Sequence, residues 1–196
     1  MNTIMKKIIL FFFMLGMISS MNAQESIKLN APNMKRGSSM MQAFAKRQSI
    51  RNFADKELSK QDLADLLWAT NGISRPESGK RTAPSAMNKQ DVTVYVCLKD
   101  GSYLYNHKTH SLDLISKEDV RQDKGAPVCI VLTSNLEGAY GPMDTGIVSQ
   151  NISLFCSGAG LATYPRGTMN KDQLKKALKP GDKETLYLCH PVGYAK

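Results

Sequence analysis

Apolar positions recur with two different periods along this chain, and the change of period outlines its elements. Over residues 40–46, Met40, Met41, Phe44 and Ala45 fall at helical spacing behind Ser38 and Ser39, either of which can cap the helix. A second helix is better marked. Leu63, Leu66, Leu67 and Thr70 repeat three or four residues apart, Ser59 and Asp62 stand at capping-box spacing, and Asn71-Gly72 supplies a stop. Residues 73–86 read as a long loop punctuated by Pro76, Gly79 and Pro84. The period then drops to two. Val92, Val94, Val96 and Leu98 alternate with Thr93, Tyr95 and Cys97, which predicts a strand apolar on both faces and interior to a sheet. Asp100-Gly101 turns it back into Tyr103-Leu104-Tyr105 as a hairpin, and further strands are predicted over 127–133 and 184–190.

The helix predicted over 143–162 is unusual, because residues 145–165 contain no charge at all. Ile147, Val148, Ile152, Phe155, Cys156 and Ala159 give it apolar surface, while Gly146, Ser149, Ser153, Ser157 and Gly158 keep its other sides thin. A helix without a solvated face is buried, either centrally or against a partner subunit. Asn170 caps a last amphipathic helix that ends at Lys179-Pro180-Gly181. Helices alternating with strands, some joined as hairpins, predict a mixed sheet with helices packed on its faces.

The N-terminus carries a different pattern. Lys6-Lys7 precede an apolar run over 8–18, followed by Ser19, Ser20, Asn22 and Ala23, the order of a secretory signal cleaved after Ala23. The run is shorter than the roughly 20 residues that span a bilayer. The expected organisation is a signal over 1–23, a polar approach over 24–37 and a single domain over 38–196, in an exported, periplasmic or otherwise extracytoplasmic protein.

The formal charge of +9 over 196 residues falls to +7 once Lys6 and Lys7 are removed. The basic residues are scattered, and the densest group, residues 171–179, is one solvated helix face. Nucleic-acid binders gather such residues in a stripe beside stacking aromatics, so no nucleic-acid partner is expected. A modest positive field that attracts small anions remains.

Several catalytic signatures are missing: G-x-S-x-G, H-E-x-x-H and a Walker loop. Gly158 and Gly160 open a G-x-G-x-x-G, but position 163 is Thr and no strand directly precedes it. His107 and His110 lack a third ligand and read as exposed turn residues, so no metal is expected. Cys97, Cys129, Cys156 and Cys189 sit singly in apolar segments as buried thiols do, with the pairing open. His190 follows Cys189 directly but points to the opposite strand face, which argues against a nucleophile pair.

Two segments carry more. In residues 47–53, Arg47, Ser49 and Arg51 alternate, so an extended chain turns two guanidiniums and a hydroxyl to one side, a cradle for phosphate. In residues 81–90, a loop of small residues delivers the amides of Asn88 and Gln90 just before the buried strand. An amide donates and accepts, which suits the edge of a heteroaromatic ring.

Together, Arg47-Gln-Ser-x-Arg-x-Phe53 and Pro84-Ser-x-x-Asn-x-Gln90 resemble the two hallmark segments of the nitroreductase family of FMN-dependent oxidoreductases. The resemblance continues in Asp144-x-Gly146, Asn151, Gly160-Leu161, Tyr164-Pro165-Arg166-Gly167 and Val192-Gly193-Tyr194-Ala195-Lys196. It also includes Trp68 to Ile73 and Arg81 to Ala86, found in compact nitroreductase-like proteins. The fold it implies is α+β, a three-layer α-β-α sandwich with a mixed, mainly antiparallel central sheet. It implies that Arg47, Gln48, Ser49 and Arg51 hold the phosphate and ribityl chain of FMN, and that Lys196 reaches the phosphate. Pro84, Ser85 and Asn88 would lie along the ring, with backbone N–H groups near 85–88 facing charge that develops there, and Arg166-Gly167 would approach from beyond the uncharged helix. The implied protein is a homodimer with FMN at the subunit interface, reduced by NADH or NADPH and reoxidised by a small aromatic, quinone or nitro-type acceptor in ping-pong fashion. No protein acid, base or nucleophile is assigned as catalytic. The alternative is an exported protein that binds flavin or another aromatic ligand on the same scaffold without turnover.

Overall fold

The computed structural model describes residues 25–196, and the expected signal and its exit at Ala23 lie outside the described residues. In chain order the elements begin with β1 (Ser26–Lys28), α1 (Met40–Lys46), α2 (Lys60–Asn71), β2 (Ile73–Arg75) and β3 (Lys80–Arg81). A single 3-10 turn (Ala86–Asn88) precedes β4 (Val92–Cys97), β5 (Ser102–Asn106), β6 (Ser111–Ser116) and β7 (Val128–Ser134). The chain closes with α3 (Tyr140–Ala159), β8 (Leu161–Thr163), α4 (Lys171–Leu178) and β9 (Thr185–Tyr194).

β4 and β7 form the middle of a seven-stranded sheet in the order β1-β6-β5-β4-β7-β9-β8. Every pairing among the described residues is antiparallel, so the sheet, expected to be mixed and mainly antiparallel, is antiparallel throughout. β4 pairs with β7 in unbroken register from Val92–Ser134 to Cys97–Cys129, and the turn predicted at Asp100-Gly101 joins it to β5, with the Leu98 N–H donating to the Gly101 carbonyl.

The strand alternation sorts the core onto two sides. Val92, Val94 and Val96 pack with Ile130, Leu132 and the helix residues Leu66, Leu67, Val148 and Ile152. Tyr95 and Cys97 face the other way with Cys129, Val131, Cys189 and Leu186, against Leu174, Ala177 and Leu178 of α4. Helices α2 and α3 thus cover one face and α4 the other, giving the expected α-β-α layers.

Local chemistry explains where elements start and stop, and where expectation and structure part. Ser39 closes a full capping box on α1, accepting from the Gln42 N–H while the Gln42 side chain accepts from the Ser39 N–H. The box expected at α2 is only half made. Ser59 Oγ accepts from the Asp62 N–H, but the Asp62 carboxylate turns away to Arg36 and the Tyr194 hydroxyl. α3 begins before the expected residue 143 and ends at Ala159, because Gly160 adopts a left-handed φ of +74°. Residues 161 and 162, expected to be helical, therefore fall in edge strand β8 (Leu161–Thr163). The 73–86 loop contains a short ribbon of β2 and β3. Strands β1 and β6 were not foreseen; short and rich in Ser, they lack a long apolar alternation.

Candidate functional site

The cationic segment is positioned by the C-terminal end of α3. Ser157 Oγ donates to the Ala43 carbonyl (2.8 Å), and the Ser38 N–H donates to the Gly158 carbonyl (2.9 Å). A Cβ at position 158 would stand 3.4 Å from that of Ala43, so Gly158 lets α1 lie close on α3. α1 ends where the Arg47 N–H returns to the Ala43 carbonyl. The following residues run extended beside the end of the sheet. The Ile50 N–H donates to the Thr163 carbonyl of β8, Phe53 bridges Ala195, and the Lys196 N–H donates to the Asn52 carbonyl.

Gln48 and Ile50 line a cavity of about 270 Å³ with Ser153, Ser157 and Thr163; Ile50 is half-buried, while Arg47, Gln48, Ser49 and Arg51 are all exposed. The Arg51 guanidinium lies 4.8 Å over the Tyr164 ring, whose hydroxyl donates to Asp123. Burial and that hydrogen bond push the Tyr164 phenol up, while nearby Arg166 pulls it back. Arg166 exchanges backbone hydrogen bonds with Cys189, and its side chain donates to the Gln122 carbonyl. Gly167 follows, exposed, with open space beside it. Arg51 and Arg166 thus meet at Tyr164, and Lys196 is tied alongside at Asn52. Among the described residues Arg47, Arg51, Arg166 and Lys196 make no ion pair.

The second segment is held by the other end of α3. Met87, Asn88 and Gln90 have φ of +51°, +53° and +50°, a left-handed conformation that costs an L-residue roughly 1–2 kcal/mol. Asp144 in α3 accepts the Ala86 N–H (2.8 Å), Ser85 Oγ accepts the Gln90 N–H (2.7 Å), and the Ser85 carbonyl accepts the Asn88 N–H. These bonds fix a turn that leaves Pro84, Met87 and Asn88 exposed. They also correct one expectation, because the Ala86 and Asn88 N–H groups are spent inside the protein and do not face outward. Burial raises the Asp144 carboxyl above its usual range, and the neighbouring Asp91 adds to the rise.

The two segments lie toward opposite ends of one helix. From Asp144 to Ser157 is thirteen residues of α3, roughly 20 Å at the rise of an α-helix.

Between the sheet and α3 lies a residue that the sequence did not assign to the site. His190 is fully buried, with Nε2 2.8 Å from Ser149 Oγ and Nδ1 3.3 Å from Thr163 Oγ1. Thr163 Oγ1 donates to the Pro191 carbonyl, so it accepts from Nδ1–H, and Nε2 accepts from the Ser149 hydroxyl. Burial pulls the His190 pKa down to about 4, which keeps the ring neutral. It braces the strand whose carbonyl binds Ile50. As expected, Cys189 faces the other layer. All four cysteines are buried free thiols. His107 and His110 hold their turn but are half-buried, not exposed, since Arg81 bonds the first and Tyr105 the second. Among the described residues no cluster suits a metal ion.

An apolar surface flanks the site. Tyr140, Met143 and Ile147 are exposed along α3, as are Met40, Met41 and Phe44 on α1. Between α1, α2 and α3 opens a cavity of about 290 Å³ lined by Trp68, Asn151, Leu154 and Phe155. No described helix is long and apolar enough to cross a membrane.

Comparison with known proteins gives a consistent result. Residues 44–194 match the model described as "Nitroreductase family". A curated Methanocaldococcus jannaschii protein described as a "putative nitroreductase" is 28% identical over 175 residues, covering 76% of this chain and 87% of its own. A crystal structure from Ralstonia eutropha with the same description is 30% identical, with a TM-score of 0.81, covering 89% of this chain and 92% of that one. An "FMN-dependent Nitroreductase" from Clostridium difficile shares the fold at 17% identity and a TM-score of 0.56, covering 81% of this chain and 91% of its own.

Proposed function

Since the chain belongs to the nitroreductase family, we propose that it is an FMN-dependent oxidoreductase acting on a small aromatic, quinone or nitro-type acceptor. The observation that carries this reading is the group of cations on the edge beside β8. Arg47 and Arg51, Arg166, and Lys196 come from three separate stretches of chain and, among the described residues, form no ion pair with a carboxylate. Such a donor set fits a phosphate dianion, which takes several charge-assisted hydrogen bonds. Arg47, Ser49, Arg51 and Lys196 hold that phosphate. Gln48, exposed and lining the adjoining cavity, supports the ribityl side.

The outward amide of Asn88 donates to and accepts from the ring edge, with Pro84 and Ser85 alongside. With roughly 20 Å of α3 between the Asn88 turn and the cationic strip, one nucleotide is best gripped by two chains. A second copy, related by a two-fold axis with α3 antiparallel, sets the turn of one chain against the cations of the other. The exposed Tyr140, Met143 and Ile147 give such a pair an apolar seam.

When bound, FMN supplies the hydride chemistry at N5, and the protein supplies binding, orientation and electrostatics. NADH or NADPH serves as reductant in a ping-pong cycle, with export placing the protein outside the cytoplasm. No side chain is assigned proton transfer.

Purified protein is expected to carry flavin, released on denaturation. Arg47→Ala and Ser49→Ala should each weaken its retention by about 1–3 kcal/mol, the range for a lost hydrogen bond to a charged group. Full flavin in both variants would overturn the phosphate assignment. Flavin that is neither reduced by a nicotinamide nor reoxidised by a quinone would leave a binding protein without turnover.

A further inference from the structure

A second basic pocket lies where β4 begins and β5 ends, with Gln90 among its lining residues. It encloses about 320 Å³, at the small end of ligand sites. One wall is polar and basic: Arg81, His107 and Lys108. The other is apolar: Val92, Leu104 and the Tyr105 ring. None of the residues lining the cavity is acidic.

The hydrogen bonds leave donors unused. Arg81 spends Nη1 on the Val92 carbonyl (3.2 Å) and Nη2 on His107 Nε2 (3.0 Å), while its Nε is buried without a partner. Because His107 accepts through Nε2, its Nδ1 carries the proton and remains a donor. Lys108 stands exposed at the rim. A buried N–H without an acceptor is unfavourable, and an incoming oxygen ligand that reached it would supply one.

Asp91, before β4, offsets part of the Arg81 charge, and Asp113 on β6 takes the Asn106 amide. Neither lines the cavity. Burial, Arg81 and Lys108 together pull the His107 pKa down to about 4, so the ring is neutral at pH 7 and donates without adding charge.

We infer that this pocket binds a small oxyanion, a carboxylate or a phosphate, with its oxygens on Arg81, His107 and Lys108. An apolar body attached to the anion would lie against Val92, Leu104 and Tyr105. The inference is independent of FMN, since none of these residues belongs to the proposed flavin site.

The chain has three histidines, so ring NMR resonances give a direct readout. At pH 7, benzoate and inorganic phosphate are titrated separately, with benzamide as the uncharged control. The expected result is a saturable shift of His107 with millimolar benzoate or phosphate, absent with benzamide, while buried His190 does not move. Tighter benzoate identifies a carboxylate with an apolar body, and tighter phosphate a bare oxyanion. Arg81→Gln should weaken the bound anion roughly tenfold or more, as for a lost charge-assisted hydrogen bond. Arg81 also braces the fold, so Lys108→Gln, an exposed change, is the second variant and should weaken binding severalfold. The proposal is overturned if neither anion saturates His107, if benzamide shifts it equally, or if Lys108→Gln binds both anions as tightly as the unaltered protein.

Discussion

His190 illustrates how one buried ring ties pH to stability. Its folded pKa of about 4 lies below the ordinary 6.5, so the unfolded chain takes up a proton that the folded chain refuses. The stability it permits is complete above about pH 6.5 and is lost as pH falls toward 4. The full shift corresponds to about 3 kcal/mol. Chemical denaturation across this range should therefore show a loss that His190→Gln flattens, and identical slopes in the two proteins would refute the assignment. Gly193 makes a second case. A Cβ there would stand 2.7 Å from Pro127 Cδ and 3.1 Å from the Phe53 ring. Gly193→Ala should cost about 1–3 kcal/mol of stability, as overpacking does, measurable as a lower denaturation midpoint. Neither contact was legible in the sequence. It gave the face on which His190 lies, because strand alternation is local, but its partners Ser149 and Thr163 are brought there by tertiary packing.

At the scale of elements, strong periodicity was read correctly and weak periodicity was not. The Val92–Cys97 alternation and the Leu63–Thr70 repeat appear where expected, and the uncharged helix appears with its ends shifted. The end of α3 was misplaced by three residues, since the apolar run continues through Gly160 into β8 and only backbone handedness separates the two. Strand β1 was missed because three exposed residues gain order only by pairing with β6. The Ser85–Gln90 turn depends equally on context, for its left-handed residues need Asp144 from a helix 58 residues away. Asp144→Ala removes the acceptor of the Ala86 N–H and should speed hydrogen exchange at that amide. Asp144→Asn keeps an acceptor and removes the charge that burial and Asp91 oppose, so it should retain protection. Equal exchange in both variants would dissociate the turn from α3.

At the scale of the molecule, the residues grouped by resemblance fall into two sets. Arg51 and Arg166 meet at Tyr164, with the backbone of Lys196 tied alongside at Asn52 and Arg47 at the end of α1, whereas Pro84, Ser85 and Asn88 lie near the start of α3. No local pattern announces this separation, which follows from the length of α3 and the strands docked at its ends. On the proposed reading, the site belongs to two chains. Ile147→Asp places a carboxylate in the exposed apolar seam and should shift the protein toward monomer, with loss of bound flavin, in light scattering coupled to absorbance. A monomeric native protein that retains flavin would contradict the two-chain reading.

The most direct measurement is subunit complementation. Chains carrying Arg47→Ala and chains carrying Asn88→Ala, with different tags, are co-expressed and purified through both tags. If one FMN is held by the cations of one chain and the Asn88 turn of the other, each mixed pair contains one intact site and one doubly altered site. Titration should then reveal one FMN per two chains bound with unaltered affinity. If every site in the mixed pair is weakened, both stretches act within one chain or do not share a ligand, and the account is contradicted.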